Sequence, residues 1–255
     1  MKLTIAASNK NRLKLNHDIS DYFIKSVQWQ TFTDFELLIA DGGSDNYEEL
    51  KDYFAKNTFK IPVRFVQYKI GDVFLRSLLN NVGVRNANGE YAMTTDVDML
   101  FAPKFVETLV SKCQQGTFVE SRTMYLKSCV TSKIYSGELD PYNNLDSIKR
   151  GRIKKRTTAG GCQCMKRTDW DKIQFDESYY GWGSEDYDLL TRVEKSGMNV
   201  VWIGESHEDI MLFHQSHFKP DNKKDLEYQE ENKKRLAVAG KHAVNINGWG
   251  GVYDK

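Results

Sequence analysis

Proline and cysteine are scarce, with four of each in 255 residues. The cysteines, Cys113, Cys129, Cys162 and Cys164, lack paired C-x-x-C spacing, which excludes a disulfide framework and a standard zinc module. Cys162 and Cys164 share one face of an extended segment and read as small buried hydrophobes. A zinc site joining them to His214 and His217 is the alternative, with no spacing to support it. Charge of one sign is also missing. The chain has 36 basic and 35 acidic side chains, net +1, which argues against a dedicated nucleic-acid binder. No apolar run nears the roughly 20 residues of a membrane span. The start, Met1-Lys2-Leu3-Thr4-Ile5-Ala6-Ala7, is too short an apolar run for a signal peptide. The expectation is a soluble, cytoplasmic protein, with peripheral contact to the inner face of a membrane left open. G-x-G-x-x-G and Walker-type loops are absent, so neither a dinucleotide site nor a P-loop is indicated.

What is present is a core-forming composition, 40% apolar and 12% aromatic, with no repeat or linker, so residues 1–255 read as a single domain. The first hundred residues alternate strand and helix signals. Leu3 to Ala7, Phe35 to Ala40, Val63 to Tyr68 and Glu90 to Thr95 read as strands. Ile19 to Trp29, Tyr47 to Phe54 and Val73 to Arg85 read as helices, the last with Leu75, Leu78, Leu79 and Val82 on one face. Such βαβ repetition predicts an α/β fold with a mainly parallel sheet, whose ligands bind beyond the carboxyl ends of the strands. Ala7-Ser8-Asn9, Asp41-Gly42-Gly43 and Asp96-Val97-Asp98 fall there and describe a nucleotide pocket. Further on, helices are predicted at Pro103 to Cys113, Glu185 to Lys195 and Asp225 to Val238, with a strand at Asn199 to Gly204. Residues 114–160 are irregular. They hold six basic side chains in the eight residues from Lys149 to Arg156. That run reads as a solvated loop, or as a guide for an anionic acceptor, an anionic surface or nucleic acid.

Three clusters carry chemistry. In Asp96-Val97-Asp98, two carboxylates one residue apart point to the same side of an extended backbone. At a strand end they fit one hard divalent cation held against nucleotide phosphates. In Gly181-Trp182-Gly183-Ser184-Glu185-Asp186, two glycines around a flat ring make a bendable loop suited to a lid or a sugar platform. Two acids then open a helix, where the dipole favours them. In Met211-Leu212-Phe213-His214-Gln215-Ser216-His217, an imidazole or thioether after a strand can complete a metal site, although such residues also serve as packing.

Taken in order, these segments resemble a metal-dependent glycosyltransferase of the GT-A fold. The N-terminal half is similar to glycosyltransferase family 2 and the C-terminal half to the β-1,4-galactosyltransferase family. The matching segments are Asn11-Arg12, Phe74-Leu75-Arg76 with Asn81-Val82-Gly83, Asp96-Val97-Asp98, Gly160-Gly161, the Gly181–Asp186 loop, Arg192 with Gly197-Met198, and Met211-x-x-His214. The resemblance implies a nucleotide-sugar-binding half over 1–100 and an acceptor-binding, catalytic half over 101–255. Asn11, Arg12 and Asp41 would surround the uridine and ribose, and Arg76 would face the donor diphosphate or sugar. Asp98 would ligate the metal, with Asp96 beside it on the donor side. Met211 and His214 would complete the ligands. His217 is an alternative to Met211, as is a site with fewer protein ligands. Trp182 would close over the donor. Glu185 and Asp186 would bind the acceptor, with Asp186 as base.

The metal implied is Mn2+, with Mg2+ possible. The reaction implied is inverting transfer of a hexose or N-acetylhexosamine, galactose-type favoured, from a UDP-sugar to a hydroxyl of a glycan or other acceptor. No stable protein partner is implied. The alternatives are a sugar-nucleotide- or glycan-binding module without catalysis, and a glycosyltransferase acting on nucleic acid. Ser184 departs from the usual glycine, Tyr187 interrupts the acidic run, and 114–160 has no match, which leaves the acceptor open. The anchor and stem of the Golgi members are missing, as expected for a bacterial or viral protein.

Overall fold

A computed structural model describes residues 1–150, 152–158, 160–204, 211–217, 223–240 and 244–253, with backbone alone for 146, 149, 150, 152–158, 223–225 and 253. The alternating pattern of the first hundred residues becomes β1 (Leu3–Asn9), α1 (Asp18–Gln28), β2 (Phe35–Asp41), α2 (Tyr47–Lys56), β3 (Val63–Gln67), α3 (Arg76–Arg85) and β4 (Tyr91–Asp96). After it come β5 (Met99–Phe101), α4 (Phe105–Lys112), β6 (Thr117–Ser121), β7 (Thr123–Leu126), α5 (Ser128–Tyr135), α6 (Leu145–Arg150), β8 (Arg152–Thr158), β9 (Gln163–Lys166) and α7 (Arg167–Trp170). The chain continues with α8 (Glu185–Lys195), β10 (Asn199–Ile203), β11 (Leu212–His214), α9 (Lys223–Leu236), and a hairpin of β12 (Gly248–Trp249) and β13 (Val252–Tyr253).

The main sheet has the order β10-β6-β9-β4-β1-β2-β3. It is parallel except around β9, which runs antiparallel to both β4 and β6. The strand order reverses direction between β1 and β4, the point at which open α/β sheets form their ligand crevice. β1 and β2 are buried along their whole length, as strands covered on both faces must be. One face carries the large apolar cluster built on Ile5, Leu37, Met93, Phe105 and Cys164. The other carries Ala92, Phe118, Met165, Leu189 and Val193. α3 lies close on β1 because residue 83 is glycine: a Cβ there would stand 2.8 Å from the Ala6 Cβ. A second sheet, β5-β11-β7-β8, flanks the strand ends.

Three sequence readings shift. The helix predicted from Val73 begins at Arg76, because Leu75 takes a non-helical backbone (φ −99°, ψ 79°). The helix predicted from Pro103 begins at Phe105. The irregular 114–160 stretch supplies strands to both sheets. The basic run from Lys149 to Arg156 falls on α6 and β8, its side chains outside the described residues and Gly151 outside them altogether. Cys162 and Cys164 are core hydrophobes. No described helix is long and apolar enough to cross a membrane.

Candidate active site

The ends of β1 and β2 are cross-braced. Asp41 is fully buried. Its Oδ1 accepts from Gly43 N and Ser44 N, and its Oδ2 from Asn9 Nδ2 and Ser44 Oγ at 2.8 and 2.6 Å. Expected beside a uridine, Asp41 instead organises the loop from within. Asn11 takes a left-handed backbone (φ 56°), which Asn tolerates. From there it bonds Asp45 through both ends of its amide. Next to this loop is a cavity of about 340 Å³ lined by residues that include Ser44, Tyr47, Gln67 and Lys69.

The turn Val97-Asp98 separates β4 from β5 and gives the two carboxylates of the triplet different partners. Asp98 is buried, with Oδ2 at 3.1 Å from His217 Nε2, 3.6 Å from His214 Nε2 and 3.2 Å from Arg12 Nη1. Burial would raise its pKa, but His214, the hydrogen bond with His217 and Arg12 outweigh that and hold it below the usual carboxylate range. One ligand atom from each of Asp98, His214 and His217 lies within 4.8 Å of the others. Asp98 Oδ1 is buried without a hydrogen-bond partner among the described residues. One carboxylate and two imidazoles fit a divalent transition ion better than Mg2+, which prefers oxygen ligands.

Met211, expected in the ligand set, packs instead among Leu100, Met124, Ile134 and Phe213. In an extended backbone, residues three apart face opposite sides. Met211 and Phe213 therefore turn into one cluster, while Leu212 joins the other and His214 faces Asp98. His217, beyond the strand and the alternative that the resemblance left open beside Met211, is the third member of the group with Asp98 and His214.

Asp96 binds Arg76 rather than joining Asp98. The Arg76 side chain is 4% exposed. Nε and Nη2 donate to the Asp96 carboxylate at 2.8 and 3.4 Å. Nη1 donates to Glu185 at 3.0 Å and to Asp186 at 2.6 Å, and Nη2 donates to the Gly160 carbonyl at 2.7 Å. All five N–H donors of a guanidinium are thereby used. Arg76, expected to face the donor diphosphate or sugar, is a clamp that ties Asp96 to Glu185 and Asp186.

Glu185, expected to bind the acceptor, has both carboxylate oxygens engaged by the protein. Its side chain is 2% exposed, with one oxygen on Arg76 and the other accepting from Gly183 N at 2.8 Å. Asp186 is the acid that reaches solvent, its side chain 19% exposed. Burial raises its pKa, Arg76 opposes, and Glu185 and Asp96 add to the rise, leaving it pushed up to about 7. That value suits a group that accepts a proton near neutral pH. Trp182 is 51% exposed on the loop before it. Left-handed backbone at Gly181, Gly183 and Ser184 shapes that loop. α9 braces it: Asn232 bonds both the N–H and the C=O of Tyr180.

Two members of this neighbourhood escaped the sequence reading. Glu120 is a fully buried acid in β6, and an acid in Thr-Phe-Val-Glu-Ser reads as surface. Gly160, noted only as part of a resemblance, has φ 108°, and a Cβ there would overlap the Asp186 carboxylate.

A GT-A glycosyltransferase is the class that this sheet order and these strand-end acids define. Solved structures sharing the fold include TarS of S. aureus in complex with UDP (TM-score 0.60, 12% identity, 94% of this chain and 65% of that one). Another is GalNAc-T7 with UDP, GalNAc and Mn2+ (0.65, 11%, 92% and 47%). A third is the mannosyltransferase PcManGT from Pyrobaculum calidifontis with GDP-Man and Mn2+ (0.58, 15%, 93% and 62%). The glycosyl transferase family 2 model matches residues 21–172, so the chain belongs to that family. The model for the N-terminal domain of galactosyltransferase matches residues 144–215. An uncharacterized glycosyltransferase of Rickettsia conorii is 33% identical over 127 residues, 46% of this chain and 20% of the relative. One of Rickettsia felis is 32% identical over 128 residues, with the same shares. The chain thus spans about a fifth of the length of these curated relatives.

Proposed function

We propose that this chain transfers a hexose or N-acetylhexosamine, galactose-type favoured, from a UDP-sugar to a hydroxyl of a glycan or other acceptor, with inversion and with a divalent cation. The observation that carries the reading is the Arg76 clamp, which joins Asp96, two residues from the Asp98 group, to Asp186. It couples a cation-binding end to a proton-accepting end. Family membership and the UDP- and Mn2+-containing structures of the same fold support a nucleotide-sugar donor and Mn2+. The galactosyltransferase match supports the galactose-type preference. It and the family match carry a sugar-transfer reading of the site rather than a nucleic-acid one.

Asp98, His214 and His217 would hold the cation, which when bound supplies positive charge for the departing diphosphate. Asp186 takes the proton of the acceptor hydroxyl as its oxygen bonds the anomeric carbon. The bond from that carbon to the diphosphate breaks, and the nucleoside diphosphate leaves. Attack from the side opposite the leaving group inverts the centre. General-base help of this kind is worth about 10²–10⁴-fold. Trp182, exposed beside Asp186, covers the donor and excludes water when its loop closes. The N-terminal half thereby serves the nucleotide, and the C-terminal half supplies the base and acceptor side.

The test is a screen of nucleotide sugars with Mn2+ for nucleoside-diphosphate release, then an acceptor array with the best donor. Acceptor-dependent release from UDP-sugars supports the reading. Tight UDP-sugar binding with no turnover across the array would replace it with a binding module.

A further inference from the structure

Behind the Arg76 clamp lies an acid that the proposed reaction does not use. Glu120 sits on β6 directly opposite Gln163 on β9. Cross-strand partners put their side chains on one face. Here it is the face of Phe118 and Met165, toward α8. Glu120 is fully buried, and its Oε1 accepts from Gly160 N at 3.0 Å. The Gln163 side chain also hydrogen-bonds this carboxyl.

Charge disfavours ionising Glu120. The charged and titratable groups around Glu120 are Asp186 from α8, Arg76 from α3 and Cys162 ahead of β9. Arg76 already faces Asp96, Glu185 and Asp186. A fourth buried negative charge would have no cation of its own. Burial, with Asp186 adding and the Gly160 N–H, the Gln163 side chain and Arg76 opposing, keeps the Glu120 pKa well above the usual range.

We propose that Glu120 is a positioning residue that fixes the Gly160 peptide and, through it, the setting of Asp186. Gly160 is the hinge of this arrangement. Its N–H is held by Glu120, its carbonyl is held by Arg76, and its Cα lies against the Asp186 carboxylate. A second path runs through Gln163, whose amide reaches the Asp186 carbonyl at 3.5 Å. The kinetic consequence rests on the glycosyl-transfer reading; the positioning itself does not.

The experiment is a carboxyl-carbon NMR titration of the full chain labelled in Asp and Glu, for wild type, Glu120→Ala, Glu120→Gln and Glu120→Asp, alongside kcat. In wild type, Glu120 is expected to titrate well above an ordinary Glu. Glu120→Ala frees the Gly160 peptide and lets water reach Asp186, so the Asp186 midpoint falls toward the ordinary Asp value. With it, kcat falls by about tenfold or more, the scale of a misplaced catalytic group. Glu120→Gln still accepts from Gly160. It restores the midpoint and most of the turnover that Glu120→Ala loses. Where Glu120→Ala does not fold, Glu120→Asp, too short to reach Gly160, reports the same loss. Two results would each overturn the proposal: a Gln variant displaced as far as the Ala variant, or an Ala variant with an unmoved midpoint. A wild type that shows the expected titration but transfers no sugar would remove the functional reading and leave the positioning role standing.

Discussion

Arg76 Nη1 donates to Asp186 Oδ1 at 2.6 Å, yet the Asp186 pKa stands near about 7, because burial and the Glu185 and Asp96 carboxylates outweigh the guanidinium. Acceptor-dependent turnover is therefore expected to rise with pH through about 7 and then level as Asp186 becomes fully ionised. Asp186→Asn should lose about 10²-fold or more in kcat while nucleotide binding holds. A variant with wild-type turnover would remove Asp186 as base. The same shift has a thermodynamic side. The folded-state value lies above the ordinary 3.8, so protonation favours the folded state. Stability from this group is full below about pH 4 and is lost as pH rises through about 7. Urea midpoints of wild type and Asp186→Asn should diverge over that window.

Removing the clamp leaves Asp96, Glu185 and Asp186 without their shared cation. Arg76→Ala should cost about 3–5 kcal/mol, the range for one partner lost from a buried ion pair. Arg76→Lys keeps the charge but not the fork that serves all these acceptors, so it should fall between. Chemical denaturation measures both, and an Ala variant of wild-type stability would contradict the arrangement.

The cation group separates His217 from Met211. His217→Ala should weaken Mn2+ binding, read by calorimetry with UDP present, by about tenfold or more. Met211→Leu, a volume-conserving change in an apolar cluster, should cost less than about 1.5 kcal/mol of stability and leave the Mn2+ isotherm in place. The reverse pattern would restore the thioether as ligand.

Ser184 precedes α8 with φ 74°, a conformation that disfavours a residue with a Cβ by about 1–2 kcal/mol. Ser184→Gly should raise the denaturation midpoint by a ΔΔG of about 1 kcal/mol. No gain would mean that the serine hydroxyl compensates for the strain.

β1, β2 and β4 could be read from sequence because each is a short, largely apolar run stopped by Asn or Asp, β3 because Val63, Phe65 and Val66 follow Pro62, and α8 because its acids, apolar stripe and Gly197 mark both ends. β6 and β9 could not. They are short, antiparallel to each other and carry Glu120 and Gln163 into the core, so no alternation announces them. The site divides in the same way. Asp98, His214 and Asp186 stood out by residue type and place. Arg76 and Glu185 were found but given open roles, since sequence does not reveal that their charges are spent on each other. His217 and Met211 were distinguished only once β11 was known to be extended.

The pairing of β4 with β9 has a consequence for folding. The strands β1 to β4 come from the first hundred residues, but the β4 edge is covered only by a strand that arrives some seventy residues later. Until then, β4 presents a row of unpaired N–H and C=O groups, a template for joining another chain. A fragment ending after Phe101 should therefore collapse with an open edge and self-associate. In the intact chain, closing that edge requires long-range contacts, which slow folding. The strand that closes it carries Gln163 against Glu120, so the site is assembled by the same late step that removes the hazard.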